Sequence, residues 1–222
     1  MDGGTTVDFA IIGAGPAGEA AAYKARELGA SVAIVDKGWF GGSCPHVGCI
    51  PSKSLLDSAA RHAANPASLP WSDASARRDW MVNRAPDAPE PDDASHVRAL
   101  ESAGARAYRG EGRIVERGVV EVRHDGRAHR IEARNVLVAT GSASKVPPIP
   151  GMADVPYWTN RQATLARELP ASLLVLGGGP TGCELAQVYA RFGVPTSIVQ
   201  SGERLTPTTM LSGSSSKRST KS

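Results

Sequence analysis

Two cysteines stand five apart in the segment Gly41-Gly42-Ser43-Cys44-Pro45-His46-Val47-Gly48-Cys49-Ile50-Pro51-Ser52-Lys53. The segment opens a predicted helix over 49–62, with Pro51 in its first turn. The dipole at a helix N-terminus favours thiolate over thiol, so cysteines there lose their protons more readily. Residues i and i+5 do not lie side by side in a regular helix, so an S–S bond between them needs a distorted first turn, which Gly48 and Pro51 suit. Lys53 follows Cys49 by one turn and shares its face. Three readings stand: a redox pair, half of a zinc site, or two structural cysteines. Zinc needs further ligands, and no further Cys-x-x-Cys or His-x-x-x-His supplies them, so no metal is expected. Buried structural cysteines fit poorly with Gly-Gly before them and Pro-Ser-Lys after. His46 reads as a loop residue, and Cys183 as core packing in a later helix.

Two glycine clusters could cradle phosphate. In Gly13-x-Gly15-x-x-Gly18 the first glycine allows a tight turn, the second lets backbone approach a pyrophosphate, and the third lets the helix lie close to the strand. Asp36, eighteen residues past Gly18, ends the next predicted strand, where an acid accepts hydrogen bonds from a ribose. The second cluster, Gly177-x-Gly179-x-x-Gly182, repeats the first 164 positions on. The counterpart of Asp36 is Gln200, an amide that would not repel a 2′-phosphate, and Arg204 lies four residues on. Both NADH and NADPH therefore remain open.

The elements that must position these groups follow from the repeat. The first copy reads strand 8–12, helix 16–28 closed by Gly29, strand 31–35; the second reads strand 172–176, helix 180–192 closed by Gly193, strand 196–199. Strands this apolar, without alternation, belong to a sheet buried on both faces. Between the copies, 64–95 is rich in Pro, Ala and Asp and contains Pro86-Asp87-Ala88-Pro89-Glu90-Pro91, which reads as a breaker or exposed loop. A short helix is predicted at 96–104, short strands over 105–139, and an apolar strand from Asn135 to Ala139. Pro147, Pro148 and Pro150-Gly151 mark a crossover. The fold class is α/β, with two Rossmann-like dinucleotide-binding units, the second incomplete. The expected domains are 1–148 and 149–211, followed by a disordered tail, 212–222, whose Ser-rich composition differs from the body.

The net charge of +3 comes from that tail: Lys217, Arg218 and Lys221 have no acid beside them, and the body balances 22 basic against 22 acidic residues. A neutral body has no electrostatic footprint for nucleic acid. No apolar run approaches the roughly 18 residues of a membrane helix, and the N-terminus has no basic n-region of a secretory signal, so a cytoplasmic protein is expected. Three cysteines are too few for a disulfide scaffold.

Gly-Gly-x-Cys-x-x-x-x-Cys-x-Pro-Ser-Lys, with both glycine fingerprints in this order, resembles the flavin-dependent pyridine nucleotide–disulfide oxidoreductases, a group that includes dihydrolipoamide dehydrogenase, mercuric reductase and mycothione reductase. The resemblance covers roughly 7–210. It implies FAD on Gly13, Gly15, Pro16, Ala17 and Gly18, with Asp36 and Lys37 at its adenosine ribose and Gly42 and Ser43 near its pyrophosphate. Ala139, Thr140 and Gly141 match an Ala-Thr-Gly segment that closes part of the flavin site. NAD(H) or NADP(H) would lie on Gly177, Gly179, Pro180, Thr181 and Gly182, reaching Gln200. The resemblance pairs Cys44 and Cys49 in a redox disulfide. Cys49 matches the thiol that contacts the flavin, Cys44 the thiol that attacks a substrate disulfide, and Lys53 with Glu184 an ion pair beside the flavin. Relatives of this kind are homodimers about twice this length. A truncated enzyme is therefore expected, without the dimer domain and its His-Glu acid/base pair, with weak flavin binding and impaired turnover. The alternatives are an inactive dinucleotide-binding remnant and a metal-ion (mercuric) reductase fragment.

Overall fold

A computed structural model of the chain describes residues 4–83, 91–202 and 204–206. The first unit begins with β1 (Thr5–Ile12), α1 (Pro16–Glu27) and β2 (Val32–Asp36). Then come α2 (Ser43–Val47), α3 (Cys49–Ala64), α4 (Trp71–Asn83) and α5 (Ala94–Ser102). Four strands follow: β3 (Arg106–Arg109), β4 (Glu111–Glu116), β5 (Val119–His124) and β6 (Arg127–Val138). A crossover leads to α6 (Asn160–Leu165), β7 (Leu173–Leu176), α7 (Pro180–Arg191) and β8 (Thr196–Val199).

The main sheet has the order β3-β2-β1-β6-β5-β4. Its β3, β2, β1 and β6 run parallel, and β6, β5 and β4 form an antiparallel meander. Strand β6 is long enough to serve both: residues 131–138 pair with β1 and residues 127–132 with β5. The central strands bury both faces, and successive side chains alternate between them. Ile11, Val32 and Ile34 pack under α1 and α5 with Phe40 and Leu100. Ala10, Ile12, Ala33 and Val35 face Val120, Val122 and Ile131 of the meander.

The second glycine unit has a two-stranded parallel sheet, β7-β8, backed by α7. A third apolar core joins it to the first unit: Leu55 of α3 and Trp71 of α4 pack with Leu185, Val188, Tyr189 and Phe192. Burial pushes the Tyr189 phenol to about 12, and its hydroxyl donates to the Ala163 carbonyl at 2.7 Å. This core crosses the expected boundary at 148.

Three expectations need correction. The segment 64–95 is not simply a loop. Pro66 and Pro70 precede α4 rather than interrupt it; the Pro70 carbonyl accepts the first helical N–H groups, from Asp73 and Ala74. Burial of Trp71, Ala74 and Arg78 then holds the helix. The strand placed at 135–139 begins eight residues earlier, because its N-terminal half pairs with β5. The cysteine segment is two helices, α2 and α3, not one. The run 86–90 and the tail 212–222 lie outside the described residues. Among the described residues no helix is long and apolar enough to cross a membrane.

Candidate active site: a thiol pair beside a glycine cradle

The first glycine turn is built by backbone contact. Gly13 has φ +106°, and a Cβ there would run into the Ala139 carbonyl. Gly18 sits beneath the Gly13 carbonyl, where a side chain has no room. Gly15 caps α1 without a side-chain hydrogen bond, so the first-turn N–H groups have no side chain across them. Gly42 (φ +67°) comes backbone to backbone with Gly15: a Cβ on it would lie 2.6 Å from the Gly15 Cα. Ala139 donates to the Ile12 carbonyl at 2.7 Å, and Thr140 and Gly141 leave β6 exposed beside the turn. Pro16, Ala17, Lys37 and Ser43 are exposed around it. Such a cradle of glycines at an uncapped helix N-terminus fits a dinucleotide pyrophosphate.

Asp36 turns out to hold the turn itself. Its Oδ2 accepts the Ala14 N–H at 2.7 Å and its Oδ1 the Gly38 N–H at 2.7 Å. Each oxygen keeps a lone pair for a ribose hydroxyl. The second unit repeats this bond: Gln200 Oε1 accepts the Gly178 N–H at 2.7 Å. Gly177 (φ +110°) and Gly179 have open space where a side chain would point, and Gly182 sits beneath the Gly177 carbonyl. Pro180, Thr181 and Arg204 are exposed. Cys183 is half-buried, and its thiol donates to the Gly178 carbonyl at 3.4 Å, so it braces the turn rather than fills a core.

Gly48 breaks the chain between the two cysteines, and a Cβ on it would lie 2.8 Å from the Ser43 carbonyl oxygen. The break lets Cys44, in α2, meet Cys49, the first residue of α3. Both are free thiols, Cys44 half-buried and Cys49 exposed. They stand close enough for each to feel the other. Burial pushes the Cys44 thiol up, the Cys49 partner adds to this, and the Lys53 charge pulls the other way. Lys53 and Glu184, 131 residues apart in sequence, meet at 2.5 Å (Nζ to Oε2) across α3 and α7.

Sequence reasoning missed His46. It is buried, not a loop residue: its Nε2 lies 2.8 Å from the Phe40 carbonyl oxygen. A carbonyl only accepts, so Nε2 carries the proton and Nδ1 is left bare and without a partner. Also unforeseen is α6, whose Asn160 and Thr164 approach the Val47 carbonyl at 3.2 and 3.1 Å. A signal was present: Thr159-x-x-Gln162 forms a capping box at its start. Buried Arg78 donates to the Thr164 and Ala166 carbonyls at 2.7 and 2.9 Å. Among the described residues no group of three or more His, Cys, Asp or Glu could hold a metal.

Fold and site together present two glycine-turn units of one pattern and a thiol pair beside the first. The chain belongs to the pyridine nucleotide-disulphide oxidoreductase family, whose model matches residues 7–219. Its members use FAD and NAD(P)H. The chain is similar to mercuric reductase of Streptomyces lividans (38% identical over 202 residues, covering 85% of this chain and 41% of that one). It is also similar to dihydrolipoyl dehydrogenase of Chlorobaculum parvum (35% over 207 residues, 90% and 44%). Among solved structures, the HOCl-induced flavoprotein disulfide reductase RclA from Escherichia coli superposes with a TM-score of 0.76 at 27% identity, covering 89% of this chain and 43% of that one. The chain thus spans less than half the length of each of these relatives.

Proposed function

We propose that the chain carries the flavin- and thiol-bearing part of an NAD(P)H:disulfide oxidoreductase, with Cys44 and Cys49 as its redox pair. The observation that carries this reading is the pair of free thiols where α2 meets α3, one turn from the Lys53–Glu184 ion pair and adjoining the Gly15–Gly42 cradle. Bound FAD would supply two-electron transfer between a nicotinamide hydride and the thiol pair. The chain's own groups do the rest. Residues 13–18, 42–43 and 139–141 hold the flavin dinucleotide, with Asp36 near its ribose, and 177–182 with Gln200 hold the nicotinamide dinucleotide. Lys53, fixed by Glu184, places a cation beside the thiols.

In the thiol step, Cys44 sulfur attacks one sulfur of a substrate disulfide and releases the first thiolate. The Cys44 proton passes to solvent, and the released thiolate takes one up. Cys49 sulfur then attacks Cys44, closing the Cys44–Cys49 bond and releasing the second thiol. The reverse sequence oxidises a dithiol. On this reading 1–148 is the FAD-binding unit and 149–211 begins the NAD(P)-binding unit. A chain with three cysteines, two of them the redox pair, suits a reducing compartment such as the cytoplasm. A metal-ion substrate is the second reading, favoured by the mercuric reductases among the relatives.

The test is an anaerobic titration of the FAD-loaded chain with dithiol, then NADH or NADPH. A long-wavelength absorption band that disappears in Cys49→Ser is expected. A wild-type chain that binds FAD yet shows neither the band nor a change in thiol count overturns the reading. Repeating the titration with a small disulfide or with Hg(II) as acceptor separates the two substrates.

A further inference from the structure

Helix α2 is only five residues long and carries Cys44 at its second position. A helix this short does not hold itself. It is held at its C-terminal end by two contacts from opposite sides. His46 donates from Nε2 to the Phe40 carbonyl at 2.8 Å. Phe40 is itself fixed: it is buried, and its N–H donates to Asp93 Oδ2 at 2.8 Å. Asp93 in turn is gripped by Arg109 Nη2 at 2.7 and 2.9 Å. From the other side, Asn160 Nδ2 donates to the Val47 carbonyl at 3.2 Å. The Asn160 amide is oriented by Ser144, whose hydroxyl donates to its Oδ1 at 2.9 Å. Thr164 Oγ1 is also 3.1 Å from the Val47 carbonyl, but its one proton is shared with the Asn160 carbonyl at 2.8 Å, so Asn160 is the dependable donor.

We propose that His46 and Asn160 are positioning residues for the thiol pair: together they hold α2 so that Cys44 stays within bonding reach of Cys49 in both redox states. The proposal rests on the reading of Cys44 and Cys49 as a redox pair. Forming an S–S bond brings the two sulfurs to about 2.05 Å and demands a narrow range of Cα separations. When α2 is held, side-chain rotation alone covers that change. When it is loose, the thiols sample wider separations and the disulfide becomes less favoured. Loss of either anchor therefore shifts the equilibrium towards the dithiol, which is a less negative reduction potential.

The experiment equilibrates the whole chain with graded mixtures of glutathione and glutathione disulfide, then traps free thiols by alkylation and counts them by mass. In each turnover the glutathione S–S bond breaks, the Cys44–Cys49 bond forms, and two glutathione thiols leave; two electrons and two protons pass from the protein dithiol. The wild-type chain is expected to lose two thiols together and keep Cys183. His46→Phe keeps a ring but no donor, and Asn160→Asp keeps the shape but no donor. Each is expected to move the midpoint tenfold or more towards dithiol, about 30 mV. His46→Gln, which restores an N–H near the Nε2 position, is expected to return it to within threefold of wild type. A rescue of this kind does not follow from packing alone. Midpoints within threefold of wild type for both His46→Phe and Asn160→Asp would overturn the proposal, as would a His46→Gln shift as large as that of His46→Phe. Should His46→Phe fail to fold, half-buried Asn160 carries the same expectation from the other side of α2. A wild-type chain that loses no thiol pair at any ratio sinks the redox reading and the positioning role with it, whereas one disulfide of unchanged midpoint in every variant sinks only the latter.

Discussion

Burial, first, and the Cys49 partner, second, raise the Cys44 thiol above the ordinary range. Alkylation of Cys44 by iodoacetamide is therefore expected to keep accelerating as pH rises beyond about 9.5, where a thiol of the ordinary pKa of about 8.5 is nearly all thiolate and levels off; peptide mapping by mass spectrometry reads the rate. His46 shifts the other way. Burial holds its pKa below the ordinary 6.5, with the His96 charge acting in the same sense and the Phe40 carbonyl, Asp93 and Glu19 opposing. The unfolded chain then binds more protons than the folded one between the depressed value and about 6.5, so stability rises with pH across that window. This contribution is intact above about pH 6.5 and lost as pH falls below it. Urea midpoints compared at about pH 7.5 and 5 should show a shallower dependence in His46→Gln. The Lys53–Glu184 pair is a weaker lever. Lys53 is 60% exposed, so Glu184→Gln should cost under about 1 kcal/mol of stability despite the short contact. Its signature belongs in the response of the thiols to FAD, not in the denaturation curve.

The elements differ in how much their sequence declares. The β1–α1 and β7–α7 turns are legible because each glycine answers a steric demand at a fixed offset, and Asp36 and Gln200 even close the same backbone bond. Helix α4 is hidden because its decisive residue looks like a surface one. Arg78 is 0% exposed, bonded to Asp79 at 2.7 Å and to two carbonyls at the C-terminal end of α6. No periodicity of apolar residues announces a buried guanidinium. Its removal leaves two carbonyls without this donor and Asp79 with Arg167 alone, so Arg78→Ala should destabilise by about 3 kcal/mol, measured by chemical denaturation. Helix α2 escapes for a different reason: five residues between two glycines carry too little pattern, and both of its anchors come from distant segments. Spacing alone left the roles of Cys44 and Cys49 open, the family resemblance suggested their pairing, and the tethers on α2 had no sequence signal.

At the scale of the molecule, the core shared by α3, α4, α6 and α7 ties the second glycine unit to the first. Trp71 lies in that core, donating to the Arg167 carbonyl at 2.9 Å, while the far-ultraviolet backbone signal comes mainly from the helices of both units. Tryptophan fluorescence and far-ultraviolet circular dichroism should therefore report one coincident urea transition, and two separated transitions would show that the halves unfold independently. The double pairing of β6 has a consequence for biosynthesis. Its hairpin with β5 is local and closes within microseconds, but its partner β1 leads by more than a hundred residues. A chain emerging from the ribosome thus carries an unfinished first turn, Gly13 still lacking the Ala139 carbonyl against which it seats, until the meander follows it out. The glycine cradle, translated well ahead of the meander, is completed only when the meander arrives.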